Sequence, residues 1–168
     1  MNKKVEKALN EQINAELYSS YLYLSMSAWA SVKGFKGTQH WLRLQAQEEL
    51  THAMKMYDFI LGRGGSVNLK QIEAAENKWE GVLELFESVY KHEQKVTELI
   101  NDLYDLCLKE KDHATGSFLQ WFINEQVEEE ANVTTIIDQL KLAGAEGPGL
   151  YMIDKELSVR VLTPATTA

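Results

Sequence analysis

The stretch 124–132 carries four carboxylates within six residues, Glu125, Glu128, Glu129 and Glu130. Its flanks are apolar, with Phe118, Leu119, Trp121, Phe122 and Ile123 before it and Val133, Ile136, Ile137 and Leu140 after. On a helix, Phe118, Phe122, Glu129, Ile136 and Leu140 fall within about 20° of one direction, at about 100° per residue. Glu129 therefore points where the helix points its apolar side chains, and a carboxylate there is costly unless it is paired. The same pattern recurs three more times. Glu16 shares a line with Leu9 and Tyr23, Glu49 with Leu42, Met56 and Ile60, and Glu93 with Val82, Phe86, Ile100 and Tyr104. His52, three residues after Glu49, lies on the same face as Glu49. Four inward carboxylates at similar depth repel one another unless a cation joins them. A pair of metal ions, bridged by carboxylates and served by a Glu-x-x-His motif, meets that requirement in a helical bundle.

The two metal positions are not equivalent. Glu-x-x-His occurs at 49–52, but the corresponding fourth-helix residues are Glu129 and Asn132. One position has an imidazole. The other relies on oxygen ligands, with Gln126 a contributor one turn before Glu129, and should exchange its metal more readily. Glu48, Glu125 and Glu128 read either as solvated surface or as a third metal position that shares Glu129. Glu130 points about 100° away from Glu129 and reads as surface. Tyr23 is a redox partner beside the site or a hydrogen-bonded core residue, and Trp121 is a lesser candidate for the first role. His40, His92 and His113 read as structural or exposed. Cys107, the single cysteine, reads as a small buried residue, which leaves neither a disulfide framework nor a cysteine zinc site.

Long elements must position these residues. Both prolines, Pro148 and Pro164, lie near the C-terminus, so no proline breaks a helix before them and long helices are expected. Periodicity predicts helices over about 5–33, 39–62, 81–109, 113–143 and 150–160. Thr38 is a plausible N-cap for the second, and the glycines and Pro148 between 144 and 149 stop the fourth. A polar tail follows the fifth helix. The segment 65–80, 16 residues long, reaches roughly 50 Å when extended, enough to run back along a whole helix. Short joins elsewhere make two antiparallel hairpins. The expected architecture is all-α, a four-helix bundle with one long crossover and a short fifth helix, as one domain over 1–168.

The net charge of −8 argues against nucleic acid or an anionic membrane as partner and suits a protein that attracts cations. The N-terminus lacks an apolar targeting segment, and cytoplasm is the default expectation.

The chain resembles the bacterial and archaeal non-haem ferritins over nearly its full length. The motifs that carry the resemblance include 15–23, 46–52, 90–94, 118–130 and 150–158. The resemblance implies a ferroxidase centre whose first position uses Glu16, Glu49 and His52. The second would use Glu49 as bridge, Glu93 and Glu129, with Gln126 nearby, and a third Glu48, Glu125, Glu128 and Glu129. Tyr23 matches the tyrosine beside such centres. It further implies a shell of twenty-four subunits that oxidises Fe(II) with oxygen or peroxide and stores the ferric mineral, the fifth helix lining the fourfold contact. Haem-binding relatives place a methionine directly after the bridging glutamate and keep a second Glu-x-x-His. Here the first position is Leu50 and the second motif is missing, so no haem is expected. A di-iron oxidase of the rubrerythrin kind would also need that second motif. A module that only sequesters metal would need one of Glu16, Glu49, His52 or Glu93 missing.

Overall fold

The computed structural model describes residues 1–144 and 146–162; the tail from 163 onward lies outside the described residues. Five helices follow in order: α1 (Lys3–Lys33), α2 (Lys36–Gly62), α3 (Val82–Glu110), α4 (His113–Ala143) and α5 (Gly147–Leu157). α1 packs on α2, α3 on α4 and α1 on α3, while α5 lies against α2 and α4. This is the expected all-α bundle of two hairpins.

The joins explain the hairpins. Gly34 ends α1 at φ 88°, the left-handed conformation that suits glycine, and its N–H reaches back to the carbonyls of Ala30 and Ser31. Asp112 caps α4 through the Thr115 N–H at 3.2 Å and accepts from Arg63 Nη1 at 3.1 Å, which ties the end of α2 to the start of α4. Between α2 and α3 the chain runs without regular structure alongside α1. The Asn10 side chain holds Ser66 and Asn68, Asn14 holds Gln71 and Ser25 holds Glu76. The partners advance in the same direction as α1, so the crossover returns the chain to the end of the bundle where α2 began.

Three boundaries differ from the sequence reading. α2 starts at Lys36, not Gln39, and Thr38 is not its cap. Thr38 is buried, and its N–H and hydroxyl donate to Asp154 Oδ1 at 2.7 and 2.8 Å, while the Gly37 N–H donates to Asp154 Oδ2 at 3.0 Å. A carboxylate on α5 thus serves the free N–H groups of α2. α5 itself begins at Gly147, because Pro148 occupies its first turn, where no N–H is needed. It ends at Leu157 rather than Arg160.

The buried apolar residues form two clusters. One holds Val5, Leu9, Ile13, Met56, Ile60, Val96, Ile100, Leu119 and Phe122; the other holds Leu22, Met26, Leu42, Ala46, Phe86, Val89, Val133 and Leu140. The gap between them falls at one height on every helix: between Ile13 and Leu22, Ala46 and Met56, Val89 and Val96, and Phe122 and Val133. A polar layer crosses the bundle there. Among the described residues, no helix is long and apolar enough to cross a membrane.

Candidate metal centre

The polar layer consists of the residues whose spacing singled them out. Glu16, Glu49, His52, Glu93, Gln126 and Glu129 are between 1% and 6% exposed. Each comes from the middle of its helix, where apolar neighbours above and below drive that face inward. Glu16, Glu49 and His52 each present a ligand atom within 4.8 Å of the others, a group that could hold a metal ion. His52 Nδ1 stands 3.4 Å from Glu49 Oε2.

Glu93 and Glu129 lie outside that tight group but inside the same layer. The Tyr23 hydroxyl donates to Glu93 Oε1, and Gln126 Nε2 donates to Glu93 Oε2 at 3.1 Å. Gln126 thus meets the site with its amide nitrogen. Gln45 Nε2 joins the two sides, donating to Glu49 Oε1 at 3.2 Å and to Glu129 Oε2 at 2.8 Å. Gln12 Nε2 donates to Glu16 Oε1 at 2.9 Å, while Glu16 Oε2 is buried with no hydrogen-bond partner among the described residues. An unpartnered carboxylate oxygen in a protein interior is costly, and a cation in contact with it removes that cost.

The electrostatics follow from burial. Desolvation, then the neighbouring Glu49, pushes the Glu16 carboxyl up to about 8. Burial, then Glu93, raises Glu49 to about 8 as well. Glu93 is raised by burial against the hydrogen bonds from Tyr23 and Gln126. Glu129 is raised well above the carboxylate range by burial, with Glu93 and Glu49 adding to it. Burial and the nearby Glu93 likewise hold the Tyr23 hydroxyl in its protonated form. Without metal, the layer keeps protons that a divalent ion must displace.

The outlying candidates separate. Glu48 is half-buried and ion-paired with Arg160. Glu125 is half-buried and Glu128 exposed. Burial raises Glu125 against the nearby His52, and Glu128 and Glu48 raise it further, so Glu125 is close enough to feel both carboxylates. Glu130 is not free surface: it is half-buried, and the Thr97 hydroxyl donates to its Oε1 at 2.6 Å. The Trp121 ring stands edge-on to His52 at 5.4 Å, with Lys55 Nζ 4.2 Å from its centroid. His92 bonds Ser19 Oγ at 2.8 Å, and burial, then Lys95, lowers it to about 4, so it sits neutral in the wall behind Tyr23. His40 bonds the Arg160 carbonyl at 2.9 Å, a structural role, and His113 is exposed at the start of α4. Cys107 is buried in the apolar end of the bundle.

Three residues escaped the sequence reading: Gln12, Gln45 and Arg160. The first two stand four residues before Glu16 and Glu49, a spacing that stacks them on the same helical face. That repeated offset was an available signal. Arg160 had none, because only the fold brings it to α2.

Comparison with known proteins now decides the family. The model of the ferritin-like domain matches residues 6–143. The chain belongs to the ferritin-like family. This is an iron-storage family, and the relatives are ferritins by name. A bacterial non-heme ferritin of Escherichia coli O6:H1 is 47% identical over 154 residues, covering 92% of this chain and 93% of that protein. One from Bacteroides fragilis strain 638R is 44% identical over 160 residues, covering 95% and 99%. Among solved structures, an Archaeoglobus fulgidus ferritin engineered into a closed form superimposes with a TM-score of 0.95 at 49% identity, over 97% of this chain and 99% of that one.

Proposed function

We propose that this ferritin-like chain is a ferroxidase subunit, which oxidises Fe(II) to Fe(III) in its polar layer and delivers the product to a mineral store. The observation that carries this reading is the Glu16–Glu49–His52 group, with its one unpartnered carboxylate oxygen, at the centre of a bundle that is otherwise apolar. The donors are carboxylates and one imidazole, a set that suits iron in both oxidation states and favours the higher charge.

Iron is the substrate. One Fe(II) binds Glu16, Glu49 and His52. A second binds between Glu49, Glu93 and Glu129, with Glu49 as the bridge and Gln126 beside it. The buried carboxyls release their protons as the ions arrive. Each ion gives up one electron, and oxygen or hydrogen peroxide takes the pair. Gln12, Gln45 and Gln126 hold carboxylate oxygens in place through amide N–H donors, so the ligands need not reorganise when the metal charge rises. Tyr23, whose hydroxyl donates to Glu93, would hold that ligand in place beside the second ion. Glu48, Glu125 and Glu128, with Glu129, form a third position through which the product leaves.

Storage requires enclosure, so we extend the reading to a homo-oligomeric shell of twenty-four copies of a single-domain subunit in the cytoplasm. The occupied residues at positions 50 and 132, leucine and asparagine, favour a shell without haem. Neither nucleic acid nor membrane is a partner in this reading.

Aerobic addition of Fe(II) to the purified protein tests it. Rapid growth of ferric absorbance and a large iron-loaded particle on gel filtration are expected. A Glu49→Ala, His52→Ala double variant that oxidises iron as fast as the wild type would overturn the site assignment.

A further inference from the structure

Beyond the end of α5, turns close Ser158, Val159 and Arg160 onto the carbonyls of Lys155, Glu156 and Leu157. α5 is pinned against α2 by Asp154 on Gly37 and Thr38, and the segment beyond it by the Arg160 carbonyl on His40. The pinning carries the Arg160 side chain along one face of α2. Its Cζ lies 4.4 Å from the centroid of the Trp41 ring, and its Nη1 donates to the Trp41 carbonyl at 3.3 Å and to Gln45 Oε1 at 2.9 Å. Its Nη2 pairs with Glu48 Oε2. Both partners of that ion pair are only 19% exposed, so solvent screens it little. The guanidinium therefore holds two groups of the metal centre at once. It takes an oxygen of Glu48, and it takes the oxygen of the Gln45 amide, which leaves the Gln45 nitrogen facing Glu49 and Glu129.

We propose that Arg160 is a positioning residue of the metal centre and an internal cation that holds its third position closed. A carboxylate oxygen bonded to a guanidinium is a weaker ligand, so a third ion that takes Glu48 Oε2 must displace Arg160 from it. The two cations compete for one site. Displacement also releases the Gln45 oxygen, and with it the amide that spans Glu49 and Glu129. Filling of the third position is thereby linked to the ligands of the first two, without any contact between Arg160 and iron. This proposal rests on the reading of Glu48, Glu125, Glu128 and Glu129 as a third position.

The test is anaerobic calorimetric titration of the assembled protein with Fe(II) alone, comparing wild type with Arg160→Gln, Arg160→Lys and Glu125→Gln. Glu125→Gln should lose the third binding step. Arg160→Gln should tighten that step by about tenfold, the scale on which a charge-assisted hydrogen bond competes with a ligand. Arg160→Lys, which keeps the charge beside Glu48, should tighten it much less. A third step that is unchanged in Arg160→Gln but lost in Glu125→Gln overturns the role of Arg160 and leaves the third position standing. Three steps in Glu125→Gln, or two in every protein, overturn the third position and this proposal together. Equal tightening in the Gln and Lys variants overturns the cation competition. Wild-type crystals soaked in Fe(II) without oxygen give a check that needs no variant. Iron between Glu48 and Glu129 with Arg160 moved off Glu48 supports the proposal, and iron there with the ion pair intact overturns it.

Discussion

Glu16 and Glu49 are raised to about 8 chiefly because burial penalises their charge, and mutual repulsion adds to it. Their ordinary values lie near 4.5. Below those values the folded and unfolded chains hold the same protons. As pH rises, the unfolded chain releases them first, so the metal-free protein loses stability until the pH passes the folded values near 8. Metal reverses the sign by favouring the ionised carboxylates. Binding at pH 6.5 should therefore release protons, and the release should fade above about 8. Titrating Zn(II) in buffers of different ionisation enthalpy measures this; proton release that does not change with pH would contradict it. The acids of the layer were legible in the sequence because each interrupts an apolar line of its own helix. Their hydrogen-bond donors were less so. Glutamine on a helix face is commonplace, and only the carboxylate four residues on gives Gln12 and Gln45 meaning.

At the scale of elements, the contact between α2 and α5 orders the C-terminal side of the site. A Cβ at Gly37 would fall 1.5 Å from the Asp154 carbonyl oxygen. Gly37→Ala should therefore push α5 off α2, with a cost of about 1–3 kcal/mol for a clash that the backbone must relieve. Asp154→Ala leaves room but removes the acceptor from three donors at the start of α2, and should cost about 1–2 kcal/mol, as loss of a cap does. Thermal denaturation gives the stability, and the rate of proteolytic clipping within 147–157 reports on α5. Unchanged clipping in Gly37→Ala would contradict the packing described here. The helices themselves were legible from periodicity and from the scarcity of proline. Their ends were not, where a tertiary partner sets them. Thr38 looked like a cap because threonine often is one, but Asp154, 116 residues away, performs that task.

Across the whole molecule, a polar layer divides the core into two apolar halves, and it is a weakness without metal. Glu16 carries a buried carboxylate oxygen with no partner among the described residues. A buried polar group left without its hydrogen bond costs about 1–3 kcal/mol, which an apolar residue of similar volume avoids. Glu16→Leu should accordingly raise the melting temperature of the metal-free protein while abolishing most of the further rise that metal gives. In the wild type metal should add about 2.7 kcal/mol of stability at a hundredfold excess over Kd. A Glu16→Leu protein that is less stable without metal, or equally stabilised by it, would contradict the layer's role. The bundle and crossover were legible from segment lengths, since 65–80 is too long for a turn between adjacent helices. The closure of Arg160 over α2 was not, because it depends on where the fifth helix lands.

The number of Fe(II) ions oxidised in the first fast phase tests the proposed centre most directly. Stopped-flow absorbance is recorded as Fe(II) is mixed with the oxygenated protein at rising ratios of iron to subunit. A fast phase whose amplitude saturates at two Fe(II) per subunit, and which vanishes in the Glu49→Ala, His52→Ala variant, is the expected result. Saturation at one ion, or a fast phase that survives the double substitution, would contradict a paired-iron centre bridged by Glu49.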